Sequence, residues 1–184
     1  MSRILTVVIA LSIITACTRK QSLVVENNTS RDSSSYFKAI CYHPVPAGDT
    51  LVSWETLDGD LALMKEAGIT TIRVYVPIAD EAILDKIAAA DMRVITSFGY
   101  NQDSVFDILS GSFIDYVAQF KEHPAIFLWE LGNEYNYHPE WFGDDLNNWY
   151  DALESAVDAI HAIDTEHLVS TAHGEIPDSL ALYK

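Results

Sequence analysis

Asn133 and Glu134 stand side by side at the end of an apolar run, an amide and a carboxylate closing the segment Trp129-Glu130-Leu131-Gly132-Asn133-Glu134. The run before them, Ala125-Ile126-Phe127-Leu128-Trp129, is short and bulky and follows Pro124, the pattern of a strand buried in a parallel sheet. After Glu134 the chain turns aromatic through Tyr135, Tyr137, His138 and Trp141. Such rings stack on pyranose faces, and burial among them is expected to keep a carboxylic acid protonated until a leaving oxygen takes the proton. That is the chemistry of glycosidic bond cleavage. The other reading of the Asn-Glu pair is a cap on the helix that follows, because both residue types suit helix N-termini.

The surrounding elements decide whether this pair can sit in a cleft. Strand and helix patterns alternate from residue 36 onward. Strands are expected at 36–42, 70–76, 93–98, 125–131 and 168–172, and helices at 51–67, 80–90, 113–122 and 146–163. Gly68 stops the first helix, and Asp80 and Glu81 suit the start of the second. Alternation of this kind, with right-handed crossovers, gives an α/β fold on a parallel sheet. Polar residues then choose the architecture. His43, Arg73, Tyr100, Asn133, Glu134 and His173 all fall at or just past strand C-termini, and several strands contribute to one rim. A (β/α)8 TIM barrel builds its sites there, whereas a doubly wound sheet would concentrate its signal in a Gly-rich first turn, which the sequence lacks.

Arg73 is a charge inside the apolar strand Thr71-Ile72-Arg73-Val74-Tyr75 and needs a carboxylate partner, for which Glu130 and Asp80 are the structural candidates. His43 and His173 are candidates for sugar hydroxyls, and each could equally be a satisfied rim histidine. Tyr137, His138 and Trp141 are candidate stacking platforms or plain packing. Trp129 and Glu130 are expected in the core and behind the ligands. Two histidines on distant strands make no metal site without a third ligand, so no metal is expected. Cys41 lies in the apolar run Phe37-Lys38-Ala39-Ile40-Cys41 and reads as a buried strand cysteine.

The formal net charge of −16 argues against nucleic acid and anionic membrane surfaces as partners and favours a neutral substrate. There is no Walker loop, dinucleotide fingerprint or zinc-protease motif. Residues 1–16 pair Arg3 with an apolar run and finish Ile14-Thr15-Ala16 before Cys17, which reads as an export signal of lipoprotein type with Cys17 as the lipidated residue. Residues 17–35 are polar and read as a flexible tether. The expected location is outside the cytoplasm, lipid-anchored at a bacterial outer membrane or periplasmic face.

Trp-Glu-Leu-Gly-Asn-Glu, shortly after His123-Pro124, resembles the acid/base signature of retaining (β/α)8-barrel glycosidases, namely the barrel domains of family 2 glycoside hydrolases and related β-glucan-acting enzymes. The similarity runs from Phe37 to the end of the chain. It implies a carbohydrate substrate, no cofactor, Glu134 as general acid/base, Asn133 on the sugar 2-hydroxyl, and Arg73 beside the nucleophile. In the resembling enzymes that nucleophile is a Glu on the seventh strand, and Glu175 does not match it. Five strands and four helices are readable here, so the expectation is a truncated barrel over residues 36–184, with little hydrolysis of its own. The stretch before Phe37 carries no β-sandwich pattern, which turns the expectation away from ordinary family 2 activities. The competing expectation is a non-catalytic carbohydrate-binding lipoprotein or an enzyme relic.

Overall fold

The computed structural model describes residues 37–99 and 107–175. The expected signal and tether, Cys17 and the rim residue Tyr100 lie outside them. The elements follow in strict alternation: β1 (Ala39–Cys41), α1 (Leu57–Glu66), β2 (Thr71–Val74), α2 (Glu81–Ala89), β3 (Arg93–Phe98), α3 (Ile114–Phe120), β4 (Ile126–Asn133), α4 (Leu146–His161) and β5 (Leu168–Ala172). Two short 3-10 turns, Tyr135–Tyr137 and Pro139–Phe142, lie between β4 and α4. Every pairing is parallel, and the strand order is β1-β2-β3-β4-β5. A doubly wound sheet reverses its order at a switch point. This one does not, and right-handed crossovers then put all four helices on one face. The arrangement is consistent with part of a (β/α)8 barrel.

The core lies between the sheet and that helical layer. Phe98 on β3 is fully buried and meets Phe113 at 5.5 Å, Tyr116 at 5.6 Å and Trp129 at 5.8 Å between ring centroids. Ile72, Val94 and Leu131 from the strands, and Leu84, Ile87, Val117 and Ile160 from the helices, are sealed with them. Burying large side chains completely contributes about 1.5–3 kcal/mol each, which is what holds strands of three to eight residues in register. Asp80 and Asp145 cap α2 and α4 by accepting from the amides of Ala82 and Asn147.

Of the boundaries that differ from the sequence reading, three have a local reason. Strand β1 is shorter than residues 36–42, and all three of its residues are exposed. Cys41, expected to be buried, is therefore exposed, because β1 has a neighbour on one side only among the described residues. Helix α1 starts six residues later than Leu51: Asp49 Oδ1 accepts from the amides of Thr50 and Leu51, and that turn competes with helix. Strand β4 runs two residues past Leu131 to Asn133, with irregular register beside both neighbours, at Val94/Ile95 and at Glu130/Asn133.

Below the sheet, on the loop entering β5, Asp164 is a buried carboxylate with its acceptors filled. Trp129 Nε1 donates to Oδ2 at 2.7 Å, His167 Nδ1 lies 2.9 Å from the same oxygen, and the amides of Glu166 and His167 donate to Oδ1 at 3.1 and 3.2 Å. Burial pushes this carboxyl up, but the donors from Trp129 and from Glu166 and His167 outweigh it and hold it below the ordinary value. A depressed folded value means stability that is present above the unfolded value of 3.8 and lost as pH falls through the lower folded one. Trp129→Phe should cost about 1–3 kcal/mol near neutrality by taking a donor from a buried charge. The same substitution should flatten the acid side of the stability profile, as urea midpoints measured across the acid range will show.

Candidate active site

Arg73, third residue of β2, sits level with Ile95 on β3 and faces β4 across it. Its Nε donates to Glu130 Oε1 at 2.7 Å, and its Nη2 lies 2.5 Å from the same oxygen. The side chains of Arg73 and Glu130 keep 13% and 9% of their exposure. The same Glu130 oxygen accepts from Ser97 Oγ on β3 at 2.5 Å. Arg73 Nη2 also donates to Asn133 Oδ1 at 3.0 Å, and Nη1 approaches the Cys41 sulfur at 3.9 Å. The guanidinium lies 4.8 Å from the centroid of Tyr75. Burial works against the Arg73 charge, but the hydrogen bond and the charge of Glu130, with a contribution from Cys41, hold it more firmly protonated than an ordinary arginine. Of the two structural partners foreseen for Arg73, Glu130 is the one; Asp80 is spent on the α2 cap.

One residue past β4, Glu134 adopts the left-handed conformation with φ 56° and ψ 29°. Its amide donates to Ala172 O at 2.7 Å, so the turn is pinned to the end of β5. The side chain is exposed and makes no capping bond to the 3-10 turn that follows, so the helix-cap reading of Asn133-Glu134 fails. A bulky left-handed residue costs about 1–3 kcal/mol and persists where the surroundings over-determine it. Gly132 prepares the turn with φ 73°; a Cβ there would lie 2.8 Å from the Trp149 ring.

The aromatic wall expected around the carboxylate is built differently. Tyr135, Phe142 and Trp149 are buried against one another, with centroids 4.8 to 5.8 Å apart, and they anchor the loop to α4. The Tyr135 hydroxyl is pushed up to about 12, by burial first and then by the charge of Asp107. His138 stacks on Trp141 at 4.0 Å and pairs with Glu140 at 2.9 Å. Tyr137 alone of the expected platforms is half exposed, at 50%. Glu134 itself is exposed, outside this packing.

His43 is exposed and meets the edge of Tyr75 at 5.8 Å, at the mouth of a small cavity lined by Tyr42, Trp54 and Val76. His173 is held in place. Its Nε2 lies 3.1 Å from the Tyr150 hydroxyl and its Nδ1 contacts the Glu175 carbonyl, so it is tied down as a rim histidine. Sequence reasoning missed Ser97 and Asn136. Asn136 Oδ1 accepts from the Gly174 amide at 2.9 Å, joining the loops after β4 and β5, and Gly174 has no room for a Cβ against Tyr137. Ser97, a small polar residue in an apolar strand one step from the rim, was the available signal for the first. Among the described residues no three His, Cys, Asp or Glu side chains gather as metal ligands, and no helix is long and apolar enough to cross a membrane.

No protein-family model matches the chain, and no curated protein does. Solved structures do. A family 2 glycosyl hydrolase from Bacteroides cellulosilyticus superposes with a TM-score of 0.59 at 20% identity, over 80% of this chain and 20% of that one. β-Glucuronidase 2 from Bacteroides uniformis gives 0.57 at 17% identity, over 73% of this chain and 18% of that one. A family 2 β-galacturonidase from Eisenbergiella tayi gives 0.57 at 21% identity, over 73% and 24%. The likeness defines the fold, a parallel α/β unit shared with family 2 glycosidases. The chain spans 18 to 24% of the length of these structures.

The left-handed turn makes its own prediction. Glu134→Asn removes the carboxylate but tolerates positive φ better, so it should raise stability by about 1 kcal/mol, read as a higher urea midpoint.

Proposed function

We propose that this chain carries the acid/base side of a retaining glycoside hydrolase acting on a β-linked glucan or related neutral polysaccharide, by hydrolysis or by transfer to another sugar. The observation that supports it is the placement of Glu134: an exposed carboxylate just past the end of a parallel strand, next to an amide that the ion-paired Arg73 holds in place. In this reading the Glu134 carboxylic acid gives its proton to the glycosidic oxygen as the bond to the anomeric carbon breaks. The resulting carboxylate later takes a proton from the water or sugar hydroxyl that attacks the glycosyl intermediate. Retention needs a second carboxylate about 5–5.5 Å away as nucleophile. Glu130 does not serve, since Arg73 and Ser97 occupy it, and the nucleophile is assigned outside the described residues. Asn133 binds the 2-hydroxyl, and Arg73 lies beside the nucleophile. Tyr137 and His43 flank the cleft as sugar contacts, with His173 set behind them. The net charge of −16 suits a neutral sugar.

The same reading takes the chain as exported and tethered through Cys17. Cys17→Ser should abolish incorporation of labelled palmitate, and undiminished labelling would remove the anchor. For the chemistry, Glu134→Gln in the protein as its host makes it should lower turnover of β-glucan oligosaccharides by about 10²–10⁴, with sugar binding retained. Aryl glycosides whose leaving groups need no proton should lose much less in their first step. A substantial rate on natural linkages in Glu134→Gln would sink the acid/base assignment. Sugar binding without any turnover, indifferent to Glu134→Gln, would establish a carbohydrate-binding lipoprotein instead.

A further inference from the structure

Resting on the acid/base reading above, we infer that Glu130 is a positioning residue that, through Arg73, fixes which face of the Asn133 amide the substrate meets. An arginine guanidinium only donates, so the Asn133 atom facing Arg73 Nη2 at 3.0 Å must be the carbonyl oxygen. That leaves both Nδ2 protons for another acceptor, and none of the described residues takes them. Asn133 is therefore set as a donor toward a sugar oxygen and not as an acceptor. What sets it is Arg73, and what sets Arg73 is Glu130: one oxygen, Oε1, takes Nε at 2.7 Å and Nη2 at 2.5 Å while Ser97 Oγ holds that oxygen from β3 at 2.5 Å. Without Glu130 the guanidinium loses two of its contacts and its only ion pair among the described residues. The amide of Asn133 can then rotate either way.

Position along the strand supports the division of labour. Glu130 and Asn133 lie on one strand, three residues apart across the irregular register with β5, and Arg73 reaches both from two strands away. Glu130 is 7% exposed and lies behind the rim, so it acts through Arg73 without touching sugar. The selectivity expected is for a ring carrying a free 2-oxygen acceptor, and the penalty for lacking it is the unpaired amide left in the site.

The test compares Glu130→Gln with the unaltered protein on paired substrates, a β-glucoside and its 2-deoxy counterpart, alongside side-chain amide spectra of the full 15N-labelled chain. The unaltered protein should prefer the 2-hydroxyl substrate. Glu130→Gln should lose about tenfold to a hundredfold on that substrate, as expected for misplaced contact groups, and much less on the 2-deoxy one, so that the preference collapses. The Asn133 amide resonances should move. Ser97→Ala, which removes one contact to Oε1 and keeps the charge, should show the same trend at smaller amplitude, and it carries the test should Glu130→Gln not fold. Equal losses on both substrates with unmoved Asn133 resonances would make Glu130 a stability residue only and overturn the inference while leaving the acid/base reading intact. If the unaltered protein turns over nothing, that reading falls first. The Asn133 resonances then decide this one: unmoved, it falls as well; moved, Glu130 sets the amide for binding.

Discussion

A buried arginine cannot be left alone, and the rim of this sheet is arranged around that constraint. Desolvating a guanidinium without a counter-charge costs several kcal/mol, on the order of a small domain's whole stability. Arg73 meets this cost with Glu130, and Glu130 meets its own with Ser97. One ion pair thereby ties β2, β3 and β4 together at the level where the strands end. Asn133 uses the remaining donor capacity of Arg73, and Glu134 just beyond it has no side-chain partner among the described residues. The sequence of commitments runs outward from a satisfied charge to an unsatisfied one. That gradient runs from restrained groups inside the sheet to an exposed one beyond its end.

The packing beneath the rim serves the same end by different means. Tyr135, Phe142 and Trp149 are hydrophobic mass that nails the loop after β4 onto α4. Phe98 and Trp129 do the equivalent for the sheet, and the indole N–H of Trp129 reaches through to Asp164 on the far side. The aromatic residues are thus divided between fixing elements and facing solvent, and most fix elements. A left-handed Glu134 is tolerable because Ala172 on one side and the Tyr135 cluster on the other leave the backbone no alternative.

Most of the architecture was legible in the chain because bulky strands and periodic helices alternate with short punctuation, a local signal. The end of β4 and the start of α1 were misjudged because tertiary hydrogen bonding decided the first and an aspartate turn the second. At the rim, the partnership of Arg73 with Glu130 could be read, since charge inside an apolar strand announces a partner. Ser97 offered a polar position inside an apolar strand, but its partner, like that of Asn136, is set by strand register or loop packing, neither of which one sequence displays. The aromatic loop was overread because a ring looks the same in sequence whether it will face a ligand or a helix. Cys41 was misplaced for a similar reason, an apolar run being no guide to which strand stands at the edge of a described sheet.

The bond from the Gly174 amide to Asn136 spans 38 positions, and that from the Glu134 amide to Ala172 is as long. A chain leaving the ribosome has made Glu134 long before it has made the residues that set its backbone. The motif is inert text until β5 arrives beside it. The timing of assembly is thereby written into the hydrogen bonds of the rim, with Glu134 among the last groups to acquire a fixed address.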